Sequence, residues 1–244
     1  MSYLWLSIKL QFRVPVSVFF ALLFPLIMMF AMVSSYGNFE IGNGYHFVDK
    51  YFLISTGMGM LPISLISFPI WIGENLQNKS YKRLEYFGIN ISKMISFDIL
   101  SYVLLTIMSI LVNIIFGFFV YNLTIPSSIY LILFILQCLY CNLVVLVFGS
   151  IIALLVKNTR ILMPLGMIFL FSTYILTGAF SSFSELPQSF QNIGKFLPIK
   201  YVMNNFFDIW IEKYLLDFKF LILNTVLGVV LGLFLLTIFL IRKK

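Results

Sequence analysis

Five stretches of this chain run without a single Asp, Glu, Lys or Arg: Val14 to Phe39, Tyr51 to Gly73, Ile99 to Val156, Ile161 to Ser184 and Phe220 to Ile241. About 20 apolar residues cross the hydrocarbon core of a bilayer, so four of the stretches each hold one span and the long third one holds two. The break inside it falls at Asn122-Leu-Thr-Ile-Pro-Ser-Ser128. Pro126 cannot continue a helix there, and the Asn, Thr and Ser side chains favour turns. Six spans are predicted, at about 16–36, 52–72, 97–121, 129–155, 161–179 and 219–241. Each must be helical, because lipid offers backbone N–H and C=O groups no partners. The expectation is an all-α membrane protein forming one transmembrane domain over residues 1–244.

Composition agrees with the pattern. The chain is 61% hydrophobic and 10% charged, whereas soluble domains carry about 25% charged residues. Its net charge of +7 does not point to nucleic acid, since no basic face of clustered Lys and Arg is present and the positive residues lie between apolar runs. Those residues set an orientation. Lys9, Arg13, Lys79, Lys82, Arg83, Lys93, Lys157, Arg160, Arg242, Lys243 and Lys244 gather on one face, against Lys50, Lys195, Lys200, Lys213 and Lys219 on the other. The richer face is cytoplasmic, which places both termini in the cytoplasm of a multi-pass cell-membrane protein. The first apolar run exceeds the 7–15 residues of a signal-peptide core and lacks an A-x-A site, so it is read as a span.

Three further segments have patterns of their own. Before the first span, Leu4, Trp5, Ile8 and Phe12 share a helical face opposite Ser2, Lys9 and Arg13. This suits an N-terminal interfacial helix that turns into the membrane at Pro15, although an ordinary basic flank fits equally. Between spans two and three, Glu74 to Lys93 sets Leu76, Leu84, Phe87 and Ile91 against Lys79, Lys82, Arg83 and Glu85. This amphipathic pattern offers a surface to a partner or is a solvated connector, and Gly88 is placed to end its helix. The segment Phe180 to Asp217 is too apolar for an open loop. Ser184 as a cap, entry at Pro187 and the spacing of Leu186, Phe190, Ile193 and Leu197 up to Pro198 predict short helices dipping into the membrane.

Candidate chemistry is sparse. No G-x-x-x-x-G-K-[ST] occurs, so no site for ATP and magnesium is expected in this chain. His46, the only histidine, has no Cys or second His nearby and reads as a surface residue. Cys138 and Cys141 share a face of the fourth span and read as packing residues. Asp98 is the only acid at the edge of the third span, where hydration is cheap, so an ion-coupled carrier has a single candidate. The uncharged Asn113, Gln137, Asn142 and Asn224 are candidates to join helices or line a path.

The residues are similar to the permease subunits of type 2 ABC exporters over essentially the whole chain. One part of the likeness is Glu74 after the second span, then Leu84-Glu85 and Gly88. The other is Gly149, Lys157-Asn158, Thr177-Gly178-Ala-Phe180, Glu185-Leu186-Pro187, Phe196-Leu-Pro198 and Tyr201, in that order. The family's usual Gly-Thr in the first part is Lys79-Ser80 here. The resemblance implies a cytoplasmic coupling helix between spans two and three, contacting an ATPase through Glu74, Lys79, Arg83, Leu84, Glu85, Phe87 and Gly88. It also implies an outer re-entrant helical hairpin before span six, built on Gly178, Phe180, Glu185, Leu186, Pro187, Pro198 and Tyr201.

The role that the resemblance implies is that of a non-catalytic exporter subunit. It would pair with a second permease chain, identical or related, and with cytoplasmic ABC ATPase subunits that bind the ATP and Mg. An uncharged path suits amphipathic cargo such as drugs, antimicrobial peptides, lipids or glycolipids. Two other readings stay open: an ATP-independent secondary transporter or channel, and a membrane immunity or assembly factor.

Overall fold

The computed structural model describes residues 3–11, 18–88, 90–156 and 158–243. Phe12, Arg13, Pro15 and Lys157 lie outside the described residues, as do the side chains of Leu4 and Ile91. The chain forms α1 (Tyr3–Gln11) and α2 (Phe19–Tyr36), then a hairpin of β1 (Glu40–Gly42) and β2 (Tyr45–His46), then α3 (Phe47–Gln77) and α4 (Ser80–Tyr86). Next come α5 (Ile91–Tyr121), α6 (Ser128–Leu155), α7 (Thr159–Thr177), α8 (Gln188–Gly194), α9 (Pro198–Lys200), α10 (Phe207–Trp210) and α11 (Phe218–Lys243). Among the described residues, six helices, α2, α3, α5, α6, α7 and α11, are long and apolar enough to cross a membrane, within a few residues of the expected spans. The second is longer than expected, running on to Gln77 without a break.

The bundle is built around α3. Of its most apolar stretch 89% is buried, against 11% for α11. It packs on α2, α5, α6 and α7, while α11 rests mainly on α6. Small residues let α3 take this place. A side chain at Gly57 would strike Met203, and one at Gly59 would strike Ser109 and Pro25.

Prolines inside spans free carbonyls that a bilayer cannot satisfy, and neighbouring helices take them up. Pro25 cannot donate to Ala21, the first turn of α2 opens into π form, and the Ser109 hydroxyl of α5 donates to the Ala21 carbonyl instead. Pro62 cannot donate to Met58, whose carbonyl accepts the Tyr174 hydroxyl of α7 at 2.7 Å. Pro69 has no N–H for either Ser64 or Leu65. There α3 widens into a π turn over Ile63–Ser67, against which Gly149 of α6 and Gly166 of α7 are pressed. A Cβ on Gly149 would overlap the Ser64 carbonyl, and one on Gly166 the Leu65 carbonyl.

At the end of the bundle away from the termini, Asp49 is fully buried rather than hydrated. Its carboxylate accepts the backbone N–H of His46 at 2.7 Å and of Thr124 at 2.8 Å, joining the start of α3 to the turn after α5. His46 is therefore the half-buried residue before α3, not a free surface side chain.

Candidate functional site: the junction at the terminal end and the folded segment at the other

Two regions gather the residues singled out from the sequence. The first lies at the end of the bundle that carries the termini. Here α3 ends at Gln77, and Asn78 and Lys79 make a sharp turn into α4. Lys79 adopts φ +53, in the left-handed region that costs a non-glycine residue about 1–2 kcal/mol. The Arg83 guanidinium donates to the Asn78 carbonyl at 2.5 Å, bracing the turn, and Gly88 leaves the helix at φ +77. Gln77 accepts the Thr159 hydroxyl at 2.6 Å, so the turn is also fixed to the start of α7.

The side chain that roots α4 in the bundle is not among those the apolar pattern picks out. Leu84 is half-buried, and Phe87 and Tyr86 stand 82% and 89% exposed; Tyr81 is the side chain that goes inward. Its hydroxyl donates to Asp98 Oδ2 at 3.1 Å. Asp98 is 0% exposed, which corrects the expectation of a cheaply hydrated edge residue. Its other oxygen accepts the Ser7 hydroxyl of α1 at 2.9 Å. Gln11 of α1 donates to the Ser101 hydroxyl at 2.6 Å, one turn along α5. One buried carboxylate thus joins α1, α4 and α5.

This junction also shows which face of α1 meets the bundle. Ser7 and Gln11, not the Trp5 face, turn toward the bundle, and Trp5 is exposed. The sequence holds a signal for it: Ser7 and Gln11 lie four apart in an apolar helix, and Asp98 and Ser101 three apart, so each pair shares a helical face. Glu74 and Glu85 remain exposed and outside the junction.

The second region is the chain from Gly178 to Asp217, at the opposite end. Gly178 closes α7 at φ +73, and a Cβ there would also strike the backbone of Ser181 and Phe183, so both conformation and space require glycine. The chain turns through Phe183–Glu185, and α8 runs back against the end of α7, with Gly194 pressed on the Leu176 carbonyl. Ser184 does not cap α8. Pro187 precedes the helix, and the Ser184 carbonyl accepts the Gln191 amide instead. The α-helix α8 ends at Gly194, turn bonds from Lys195, Phe196 and Leu197 carry the chain to Pro198, and Pro198, buried, opens the next turn.

The Tyr201 hydroxyl donates to the Lys195 carbonyl at 3.4 Å, and Asn204 donates to the Thr177 carbonyl at 2.9 Å, tying the segment to itself and to α7. Lys200 lies over the Phe183 ring at 4.6 Å, and burial lowers its ammonium below the usual lysine range while Asp217 pulls it back up. Leu186 is half-buried, whereas Phe180, Glu185 and Pro187 face outward with Phe190, Ile193 and Phe196. Tight packing is confined to the later part, where Phe206 and Trp210 are buried against Phe52 and Phe134.

The four amides proposed for a path are all closed inside helix contacts. Asn142 donates to Thr106 at 2.9 Å and accepts from Ser64 at 2.6 Å, joining α6 to α5 and α3. Asn113 accepts the Ser55 hydroxyl at 2.9 Å, and Asn224 donates to the Tyr140 carbonyl at 3.0 Å. Gln137 bridges α6 to the Leu215 carbonyl and the Asp217 N–H. None of the four faces open space in this arrangement.

A family model described as ABC-2 type transporter matches residues 1–211, which include the junction at Asp98, the π turn between Gly149 and Gly166, and most of the folded segment after Gly178. The chain belongs to the ABC-2 type transporter family. No curated protein and no solved structure matches it. It is a multi-pass membrane permease component of an ABC-type transporter.

The strain at Lys79 bears on its replacement. This is the position where the resemblance expects Gly, and the turn demands a positive φ whichever residue stands there. Lys79→Gly is expected to stabilise the protein by up to about 1 kcal/mol, the left-handed penalty less the extra entropy glycine loses on folding. A rise of about 2–4 °C in the melting temperature in mild detergent is the corresponding readout.

Proposed function

We propose that the chain is the permease subunit of an ABC exporter. It works as a pair of permease chains, driven by separate cytoplasmic ATPases that bind the ATP and Mg, and moves amphipathic or hydrophobic cargo outward. In this reading both termini and α4 are cytoplasmic, following the Lys and Arg distribution, and the segment from Gly178 to Asp217 lies on the outer side. The observation that carries it is α4 itself. Two large aromatic side chains, Tyr86 and Phe87, stand almost fully exposed beside Arg83 and Glu85 on the end of the bundle with the most positive charge. Exposed aromatic anchors rimmed by charge are what a docking partner buries.

The way α4 is rooted supports the reading. A push on α4 reaches Asp98 through Tyr81 and from there both α1 and α5, so one docked partner can shift several helices together. Beyond α5, the paired glycines at the π turn put α3, α6 and α7 in backbone contact, which favours rigid rocking over local bending. Asp98 is engaged by two hydroxyls near the beginning of its helix, an arrangement that favours a mechanical joint over an ion relay near the midplane.

The test is purification of the chain from its native membranes in mild detergent. Co-elution of a soluble ATPase bearing a phosphate-binding loop, at one copy per permease, is the expected result. Reproducible absence of any ATPase, with transport persisting when ATP is depleted, would overturn the exporter reading.

A further inference from the structure

The end of the bundle opposite the termini holds a cleft of about 690 Å³, between the last turns of α2, the hairpin, the first turns of α3 and the turn after α7. This volume lies in the range of small-molecule sites, about 300–1,000 Å³. One wall is aromatic. Phe47 sits 6.0 Å from Tyr36, 5.3 Å from Phe39 and 5.8 Å from Tyr51, ring centre to ring centre. The facing wall is the stretch from Gly178 to Glu185.

Two observations set this cleft apart from an ordinary crevice. Tyr51, in its wall, is only 2% exposed, yet its hydroxyl has no hydrogen-bond partner among the described residues. Leaving a buried hydroxyl unpaired is costly, so its presence in a cleft wall points to a group the cleft receives. Lys50 and Glu185 also line the cleft, and the ion pair formed among the described residues is elsewhere, between Lys213 and Asp208. One mouth therefore holds an ammonium and a carboxylate with no side-chain partner among the described residues.

These groups match a ligand carrying both charges. Aromatic faces and a carboxylate recognise an ammonium head, the quaternary kind included. A lysine ammonium and hydroxyl donors recognise a phosphate. An anionic amphiphile would meet repulsion from Glu185, and a simple sugar would leave both charges unused. The level also fits, because Tyr36, exposed at the end of a span, is the kind of residue that favours the headgroup level. We infer that this cleft binds the zwitterionic headgroup of a phospholipid, its ammonium taken by the aromatic wall and Glu185 and its phosphate by Lys50 and the Tyr51 hydroxyl. The inference borrows from the exporter reading only the side of the membrane, and its test depends on neither ATP nor transport.

The test uses the full chain in sugar-headed detergent micelles, titrated with short-chain phosphatidylcholine, phosphatidylglycerol and diacylglycerol of the same tails, with bound lipid counted by native mass spectrometry. One saturable phosphatidylcholine is expected, bound at least about tenfold more tightly than the other two, since a charge-assisted contact is worth that factor or more. Lys50→Gln and Glu185→Gln are each expected to remove most of this preference. Both positions are exposed, so an unchanged elution profile and helix content confirm that these variants fold. Equal binding of all three lipids would reduce the cleft to an apolar surface and overturn the proposal. Tighter binding of phosphatidylglycerol, or no saturable binding at all, would overturn it as well.

Discussion

Replacing Gly149 by valine is expected to abolish the folded permease in detergent, while Gly232→Ala in the same assay leaves it intact or slightly more stable. Gly149 is where α6 touches α3. A Cβ there would overlap the Ser64 carbonyl and come within 3.0 Å of the Pro69 ring. Neither neighbour can yield. The carbonyl belongs to a backbone already opened into a π turn by Pro69, and the ring is rigid. Overpacking of this kind costs about 3 kcal/mol at the upper end of its usual range, and here the strain falls on backbone that three helices share. Gly232 of α11, by contrast, meets nothing within 4 Å. There alanine gains the ordinary advantage over glycine, about 0.4–1 kcal/mol. The readouts are the yield of monodisperse protein and the melting temperature. Equal behaviour of the two variants would show that α6 and α3 are not in backbone contact in the folded protein.

The difference between these two glycines marks how far the sequence could be read. Charge-free runs placed all six helices, because bilayer thickness and backbone satisfaction leave few alternatives. Their number and order say nothing of which helix is central. The place of α3 rests on Gly57, Gly59 and the docking of Gly149 and Gly166 onto its π turn, all of which need partners from distant parts of the chain. Pairings such as Tyr174 with the Met58 carbonyl were hidden for the same reason, since a proline reveals that a carbonyl is freed but not which hydroxyl takes it. At the candidate site, the sequence located the segment around α4 but not the side chain that roots it in the bundle. The apolar pattern offered Leu84 and Phe87 to a partner and passed over Tyr81, the side chain that turns in to reach the buried Asp98. Asp98 looked like an edge residue because its distance from solvent depends on α1 and α4 closing over it. The segment after Gly178 was legible where conformation decides, at Gly178 and Pro198, and misread at Ser184, where spacing alone was taken for a cap.

Phe87→Glu is expected to remove capture of the ATPase while leaving the permease folded. Phe87 is 82% exposed and follows the last turn of α4, so its ring packs little against the described residues. A buried aromatic anchor at an interface is worth about 2 kcal/mol or more on truncation, close to a 30-fold loss of affinity. A carboxylate in its place adds the cost of desolvating a charge. The measurement is the amount of ATPase retained by immobilised permease, with the melting temperature followed in parallel. Tyr81→Phe separates docking from transmission. Its ring stays in the same buried place, but the hydroxyl that reaches Asp98 is gone, so the ATPase should still be retained while the link from α4 to α1 and α5 is weakened. Retention that is lost with Phe87→Glu and kept with Tyr81→Phe, together with ATP-driven transport impaired in both, assigns the aromatic tip to docking and the buried carboxylate to transmission. Undiminished retention by Phe87→Glu would move the ATPase contact away from α4.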